Sequence, residues 1–347
     1  MSGFIPPFDW HAVVVSPWTE NMAQYGWIVA MGFLVTLACG LVGNYLIFRR
    51  MALVGDAISH SVLPGLAIAF LVAYHAGSSG LWGTPPDAAD GAHHDYRSPL
   101  LMFLGALVAG LGTTVLIELI HKKSRVKQDA AIGITFSSLF AIGVILITVF
   151  ADEVDLDADC VLYGEITFVS MEPRVRLGEL SLGPPSVLRM GVVTMLTVLF
   201  ILLFYKELLV SSFDPGLSRS MGINPTFMHY ALMSWLSVVV VSAFESVGAI
   251  LVVAMLILPG ATASLLTDRL PRIFLLTVLH AALSALAGLH LAIWLNCAAA
   301  AAMVVMGAAW FVLAWVFSPG QGLLRRWWTL RTQPLAPPAL ETAQPRE

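Results

Sequence analysis

Charge is scarce in this chain. Asp, Glu, Lys and Arg together make up 12% of 347 residues, about half the quarter usual in globular proteins. With 58% of residues apolar, a soluble fold would have too little polar surface to cover its core. Soluble, disordered and fibrous classes are therefore excluded, and a polytopic membrane protein remains. Cysteine is scarce too: Cys39, Cys160 and Cys297 stand far apart without a CxxC pair, so neither a disulfide framework nor a zinc knuckle is indicated. The motifs GxxxxGK[ST], HExxH and GxSxG are all missing. The chain thus has no ATP-phosphate loop of its own, and it lacks the commonest metalloprotease arrangement and the hydrolase elbow. Its first residues, MSGFIPPFDWHAVVV, lack the basic start and small-residue cleavage site of a removed signal peptide, which leaves insertion to the apolar segments.

Those segments are long. A hydrocarbon core about 30 Å thick takes roughly 20 helical residues. Trp27–Phe48, Ala57–Tyr74, Pro99–Ile117, Ala130–Ala151, Met190–Tyr205, Phe227–Phe244 and Ser246–Thr267 read as seven spans. From Ile273 to Leu324 no formal charge occurs; as one helix this run would be about 78 Å long, so it reads as two spans turning near His290 to Asn296. The fold expected is an all-α bundle of eight or nine transmembrane helices.

The basic residues orient it. With the N-terminus outside and nine spans, 14 of the 18 Lys and Arg fall inside, among them Arg49, Arg50, Lys122, Lys123 and the Arg325/Arg326 pair. Only Arg97, Arg174, Arg176 and Arg189 stay outside, the asymmetry that the positive-inside rule describes. Acidic residues lean the other way, 13 of 22 outside. That face either raises the local cation concentration or is simply a set of solvated loops. Residues 1–26 form an extracytoplasmic segment, 27–324 the membrane domain, and 325–347 a cytoplasmic tail, Pro- and Ala-rich near its end and expected to be disordered. The protein is expected in the cell (inner) membrane, with no nucleic-acid partner.

Two connectors carry polar chemistry. Gly77–Ser98 contains His93, His94 and the acids Asp87, Asp90 and Asp95, a set that either captures a divalent metal or is an ordinary solvated loop. In the Asp152–Glu179 connector, VLYGEITFV is apolar enough to lie along the membrane surface. The inner loop 206–226 is more specific. Asp214 as N-cap, Pro215 at the first helical position and Gly222 just past the end punctuate a short helix, with Leu217 and Met221 four apart on one side. Such a helix either docks into a partner's groove or is a capped connector.

Ionisable groups inside apolar spans are expensive. Asp56 and His60, four apart, project from one helix face. Together they offer an O,N ligand pair suited to Zn²⁺, Mn²⁺ or Fe²⁺, with Ser59 available to support them. Pro64-Gly65 is expected to interrupt the helix just beyond, as beside many intramembrane sites. A second reading has the two groups satisfy each other within the bundle. Glu245, flanked by Ser242 and Ser246 at the turn between two spans, either lines a vestibule or caps that turn. His229, His280 and His290 stand isolated and read as interfacial or core histidines.

At these residues the sequence resembles the membrane-spanning permease of ATP-binding-cassette importers for manganese, zinc or iron. The resemblance rests on LVGDAISHSVLPG (Leu53–Gly65), FDPGLSRSMGI (Phe213–Ile223) and FESVGAILVVAMLILPGATA (Phe244–Ala263), in that order. It implies a non-enzymatic transport subunit that binds no cofactor itself. It also implies a second permease (the same chain or a related one), a cytoplasmic ATP-binding subunit that holds the ATP, and an extracytoplasmic metal-binding protein. Asp56 and His60 match the family's metal-contacting residues; the segment Asp214–Gly222, with Pro215, Leu217 and Met221, matches the part that seats in the ATPase. Glu245 stands where some relatives carry Gln, which resembles the manganese/iron branch more than the zinc branch. Two other classes remain as alternatives: an ATP-independent metal/proton transporter in which Asp56 and His60 relay protons, and an intramembrane metalloenzyme with Glu245 as a third ligand.

Overall fold

A computed structural model describes residues 6–78, 99–150, 166–177, 180–318 and 322. After a short helical stretch over residues 11–19, the chain forms α1 (Met22–Phe48), α2 (Leu53–Ser78), α3 (Pro99–Lys123) and α4 (Gln128–Phe150). A short 3₁₀ helix, Ile166–Met171, leads to a small hairpin of β1 (Val175–Leu177) and β2 (Leu180–Gly183). Then follow α5 (Pro185–Leu203), α6 (Tyr205–Phe213), α7 (Pro215–Ser220), α8 (Pro225–Val247), α9 (Ala249–Leu266), α10 (Leu270–Leu295) and α11 (Ala299–Phe317). The expected all-α bundle is thus present, with one antiparallel hairpin added, in which Leu177 faces Leu180. Helices dominate because a span through hydrocarbon must satisfy every backbone N–H and C=O within itself.

Among the described residues, eight helices are long and apolar enough to cross a membrane, and the protein is a multi-pass membrane protein. The ninth expected span, Ser246–Thr267, is the shorter α9, whose break from α8 falls at Gly248 with φ of +81° rather than at Glu245. Hydrogen bonds give the chain's direction. Trp18 Nε1 donates to His290 Nε2 at 3.2 Å, bringing the N-terminal segment to the end of α10. At the opposite end, Arg49 meets His229 of α8, and Asn44 Nδ2 donates to Thr277 Oγ1 near the start of α10 at 3.1 Å. α8 and α10 therefore both run away from the Arg49 end, so α9 must traverse the bundle between them. Its last turn ends beside α11, where Ser318 Oγ donates to Leu265 O.

The ends are set by local chemistry. α1 closes with Arg50 in the left-handed region, φ 58°, while Met51 N donates to Leu46 O and Arg50 N to Ile47 O, the bond pattern of a Schellman cap. α10 ends at Asn296, φ 50°, a residue type that tolerates this conformation; the turn thus falls within the expected stretch. α1 is the central helix and is mostly buried, whereas α3 and α4 are peripheral and mostly exposed. α2 and α3 approach through small residues. Cβ atoms added to Gly65 would run into Gly105 and Ala109, and on Gly105 into Gly65 and Ala69. This is the small-residue spacing that brings helix backbones together in lipid.

One expectation is corrected here. Pro64 lies inside α2 without ending it. The ring removes one N–H and frees the carbonyl four residues back, but packing holds the helix through it, with Gly143 of α4 against the Pro64 ring. Of the apolar stretch VLYGEITFV, the described part turns Ile166 and Val169 into the main core cluster, with Ile166 reaching Gly32 of α1, and leaves Phe168 exposed. The His93/His94 loop, Val161–Glu165 and the 325–347 tail lie outside the described residues.

Candidate metal site and the inner polar cluster

Asp56 sits in the first turn of α2, where the helix dipole favours an anion. One turn on, His60 Nε2 stands 3.4 Å from Asp56 Oδ1, the side chains 17% (His60) and 39% (Asp56) exposed. Counting from Leu53, His60 is about 10 Å along the helix. Both groups open onto a cleft of ≈ 520 Å³, lined otherwise by Leu53, by Val253, Ala254, Ile257 and Leu258 of α9, and by Val304 and Ala308 of α11. The wall is apolar apart from these two side chains, so a cation in the cleft finds its polar contacts on α2.

The imidazole is held by two rings of α4 that the sequence did not single out. Phe136 packs at 4.9 Å between centroids and Phe140 at 5.6 Å, edge-on at 88°. His60 Nδ1 is buried without a hydrogen-bond partner. A metal on Nε2 would leave the ring proton on Nδ1, because a neutral imidazole carries its proton on one nitrogen only. Ser59 does not support the pair as expected: its hydroxyl donates to the Asp56 carbonyl at 2.9 Å and so serves the backbone.

Glu245 falls in the last turn of α8, and its side chain lies outside the described residues. Among the described residues no group of three or more His, Cys, Asp or Glu comes together. Among the described residues, Asp56 and His60 are thus the two candidate ligands that open onto the cleft.

The short helix of loop 206–226 has the expected punctuation. Asp214 Oδ1 accepts from Gly216 N and Leu217 N, both at 2.9 Å. The C-terminus closes on Gly222 at φ +79°, with Gly222 N donating to Arg219 O and Ile223 N to Ser218 O. Leu217 and Met221 are 50% and 60% exposed, so among the described residues nothing covers them fully. A second Asx-Pro cap follows at once: Asn224 Oδ1 accepts from Thr226 N and Phe227 N at the start of α8.

The histidines divide. His290 bonds Trp18 and the Leu286 carbonyl, an interfacial packing role. His280 is buried in the core against Gly307 of α11. His229, expected to be isolated, is not: Nδ1 lies 3.4 Å from Arg49 and Nε2 3.4 Å from Glu118 Oε2. A signal for this cluster exists in the run LGTTVLIELI, where Glu118 is the lone charge; a span ending at Ile117 leaves the residue in a loop.

A family model described as the ABC 3 transport family matches residues 21–318. The chain is 42% identical over 305 residues to the manganese transport system membrane protein MntD of Bacillus subtilis, covering 88% of this chain and 96% of that one. It is 38% identical over 304 residues to the zinc transport system membrane protein TroD of Treponema pallidum, covering 88% and 77%. Among solved structures, PsaBC from Streptococcus pneumoniae in complex with Fab aligns with a TM-score of 0.68 at 32% identity, covering 92% of this chain and 98% of that chain.

Proposed function

The chain belongs to the ABC 3 transport family, and from that premise we propose that it is the permease subunit of an ATP-driven importer of a divalent transition metal, Mn²⁺ or Zn²⁺. The observation that carries this reading is the Asp56–His60 pair, 3.4 Å apart and open to the cleft between α2, α9 and α11. A carboxylate and an imidazole in an apolar wall are costly unless an ion or water meets them. A carboxylate oxygen suits Mn²⁺ and an imidazole nitrogen suits Zn²⁺, so the donor set accepts either. Two ligands also hold a cargo ion weakly enough for it to leave.

The cation enters from the acidic face, where an extracytoplasmic binding protein delivers it, and meets Asp56 and His60. The open side of the cleft faces a second permease, whose own pair or bound water completes the ion's coordination. Energy comes from a separate ATP-binding subunit, since this chain has no phosphate loop. That subunit receives α7 through Leu217 and Met221, with Asp214, Pro215 and Gly222 fixing the helix that presents them. The side bearing α7, Arg49 and the 325–347 tail is cytoplasmic, in keeping with the positive-inside rule. A proton-relay transporter would leave this capped, exposed helix without a role.

The test is uptake of radiolabelled Mn²⁺ and Zn²⁺ by cells expressing the chain with its ATPase and binding protein. Uptake should require an active ATPase and collapse in Asp56→Ala and His60→Ala variants that still reach the membrane. Uptake that continues with an inactive ATPase, or that survives loss of both side chains, would overturn the reading; the preferred ion names the cargo.

A further inference from the structure

Seven polar side chains from four separate elements meet at the Arg49 end of the bundle. Arg49, just past α1, donates through Nε to Ser212 Oγ at 2.9 Å and through a terminal nitrogen to Ser211 Oγ at 3.0 Å. Its other terminal nitrogen faces His229 Nδ1 at 3.4 Å. His229 Nε2 faces Glu118 Oε2 at 3.4 Å, and the other carboxylate oxygen of Glu118 takes a 2.7 Å ion pair from Lys122. Lys122 also donates to Tyr230 Oη at 3.2 Å.

Only one proton arrangement suits the centre of this chain. A guanidinium can only donate, so His229 Nδ1 accepts, the ring proton sits on Nε2, and it points at Glu118. Every link then runs from donor to acceptor, from Arg49 through His229 to Glu118. The two serines lie in the last turn of α6, and α6 and α7 share Asp214, whose N–H bonds Val210 O while its own carbonyl receives Ser218 N. Arg49 is therefore tied within three residues of the exposed helix. At the far end, Glu118 belongs to α3, and α3 lies backbone to backbone on α2 through Gly105 and Gly65.

We propose that Arg49, His229 and Glu118 are positioning residues that transmit movement of α7 to α3, and through the Gly65–Gly105 contact to the metal-bearing helix α2. This rests on the reading that α7 seats in an ATPase. Simple anchoring is a poor explanation for the cluster, because removing charges from water usually stabilises less than apolar packing of the same volume. Burial does draw the Arg49 guanidinium below the ordinary arginine range, an effect that nearby Tyr45 partly offsets. A hydrogen-bonded link among four separate elements, by contrast, makes them move as one.

The experiment reconstitutes the complete transporter in liposomes and measures Mn²⁺ uptake and ATP hydrolysis side by side. In Arg49→Gln and in Glu118→Gln, uptake per ATP should fall about tenfold, the size of an ordinary coupling free energy, while ATP hydrolysis stays near wild type. The double variant should be no worse than the poorer single, because both residues act through His229. Ser211→Ala with Ser212→Ala touches no charge and tests the same link more gently, with a smaller loss of uptake per ATP. Uptake and hydrolysis falling in proportion, a double variant equal to the product of the singles, or an unchanged ratio in the serine variant would each overturn the proposal. Wild-type uptake with a hydrolysis-dead ATPase would instead overturn the importer reading itself, whatever the variants do.

Discussion

The carbonyl oxygen of Leu256 in α9 occupies the place where a Cβ on Gly43 of α1 would stand. The same leucine, fully buried, has its side chain where a Cβ on Gly55 of α2 would be. One residue of α9 is thus clasped between two glycines, one on the central helix and one a single position before Asp56. The contact with Gly55 sets the separation of α2 and α9, two of the three helices that wall the cleft.

Gly43→Val should therefore be severely destabilising. Overpacking against a side chain costs about 1–3 kcal/mol, and here the obstacle is backbone, which cannot rotate away. Gly133→Ala, where nothing lies within 4 Å of the added carbon, should be neutral or should stabilise by up to about 1 kcal/mol through helix propensity. Thermal unfolding of the purified protein in detergent compares the two; equal melting temperatures would contradict the close packing.

Phe140→Leu should weaken metal handling without removing a ligand. The ring edge against His60 is lost while most of the volume is kept, and loosening a group that orients a metal ligand commonly costs about tenfold in affinity or more. In the uptake assay the apparent KM for Mn²⁺ should rise by that order, with the maximal rate less affected. An unchanged KM would mean that Phe140 only fills space.

Leu217→Asp and Met221→Asp should abolish co-purification with the ATP-binding subunit. Both side chains are exposed and touch little of this chain, so the permease alone should elute and melt as wild type. Asp214→Ala removes the cap over Gly216 and Leu217 and should loosen α7 by about 1 kcal/mol, weakening co-purification partially. Full retention of the ATPase by both Asp variants would remove α7 from the interface.

Cys297 supplies a test of orientation. It is exposed at the turn between α10 and α11, on the end that carries Trp18. In a Cys160→Ser background, a membrane-impermeant maleimide applied to intact cells should label Cys297, whereas Ser220→Cys in α7, with Cys297 also replaced, should label only after the membrane is opened. The reverse pattern would invert the topology.

What could be read from the chain itself was what neighbouring residues decide among themselves. The spans follow from bilayer thickness and from the need of each segment to close its own hydrogen bonds. The Asp56–His60 pairing follows from helical spacing, and the Asp214-Pro215…Gly222 helix from caps that act over a few residues. In each case the energy is local.

The partners across the bundle were not legible. In a membrane helix, apolar residues face lipid and protein alike, so hydrophobicity does not say which side packs inward. Nothing in one strand of sequence could place Phe136 and Phe140 around His60, or draw Arg49, His229 and Glu118 together from three helices. Apolar length marks Ser246–Thr267 as a span, but it does not show that α9 forms a wall of the cleft beside α2 and α11. Those contacts rest on glycine notches such as Gly43, Gly55 and Gly65, whose meaning depends on what lies opposite, and only the folded packing decides that.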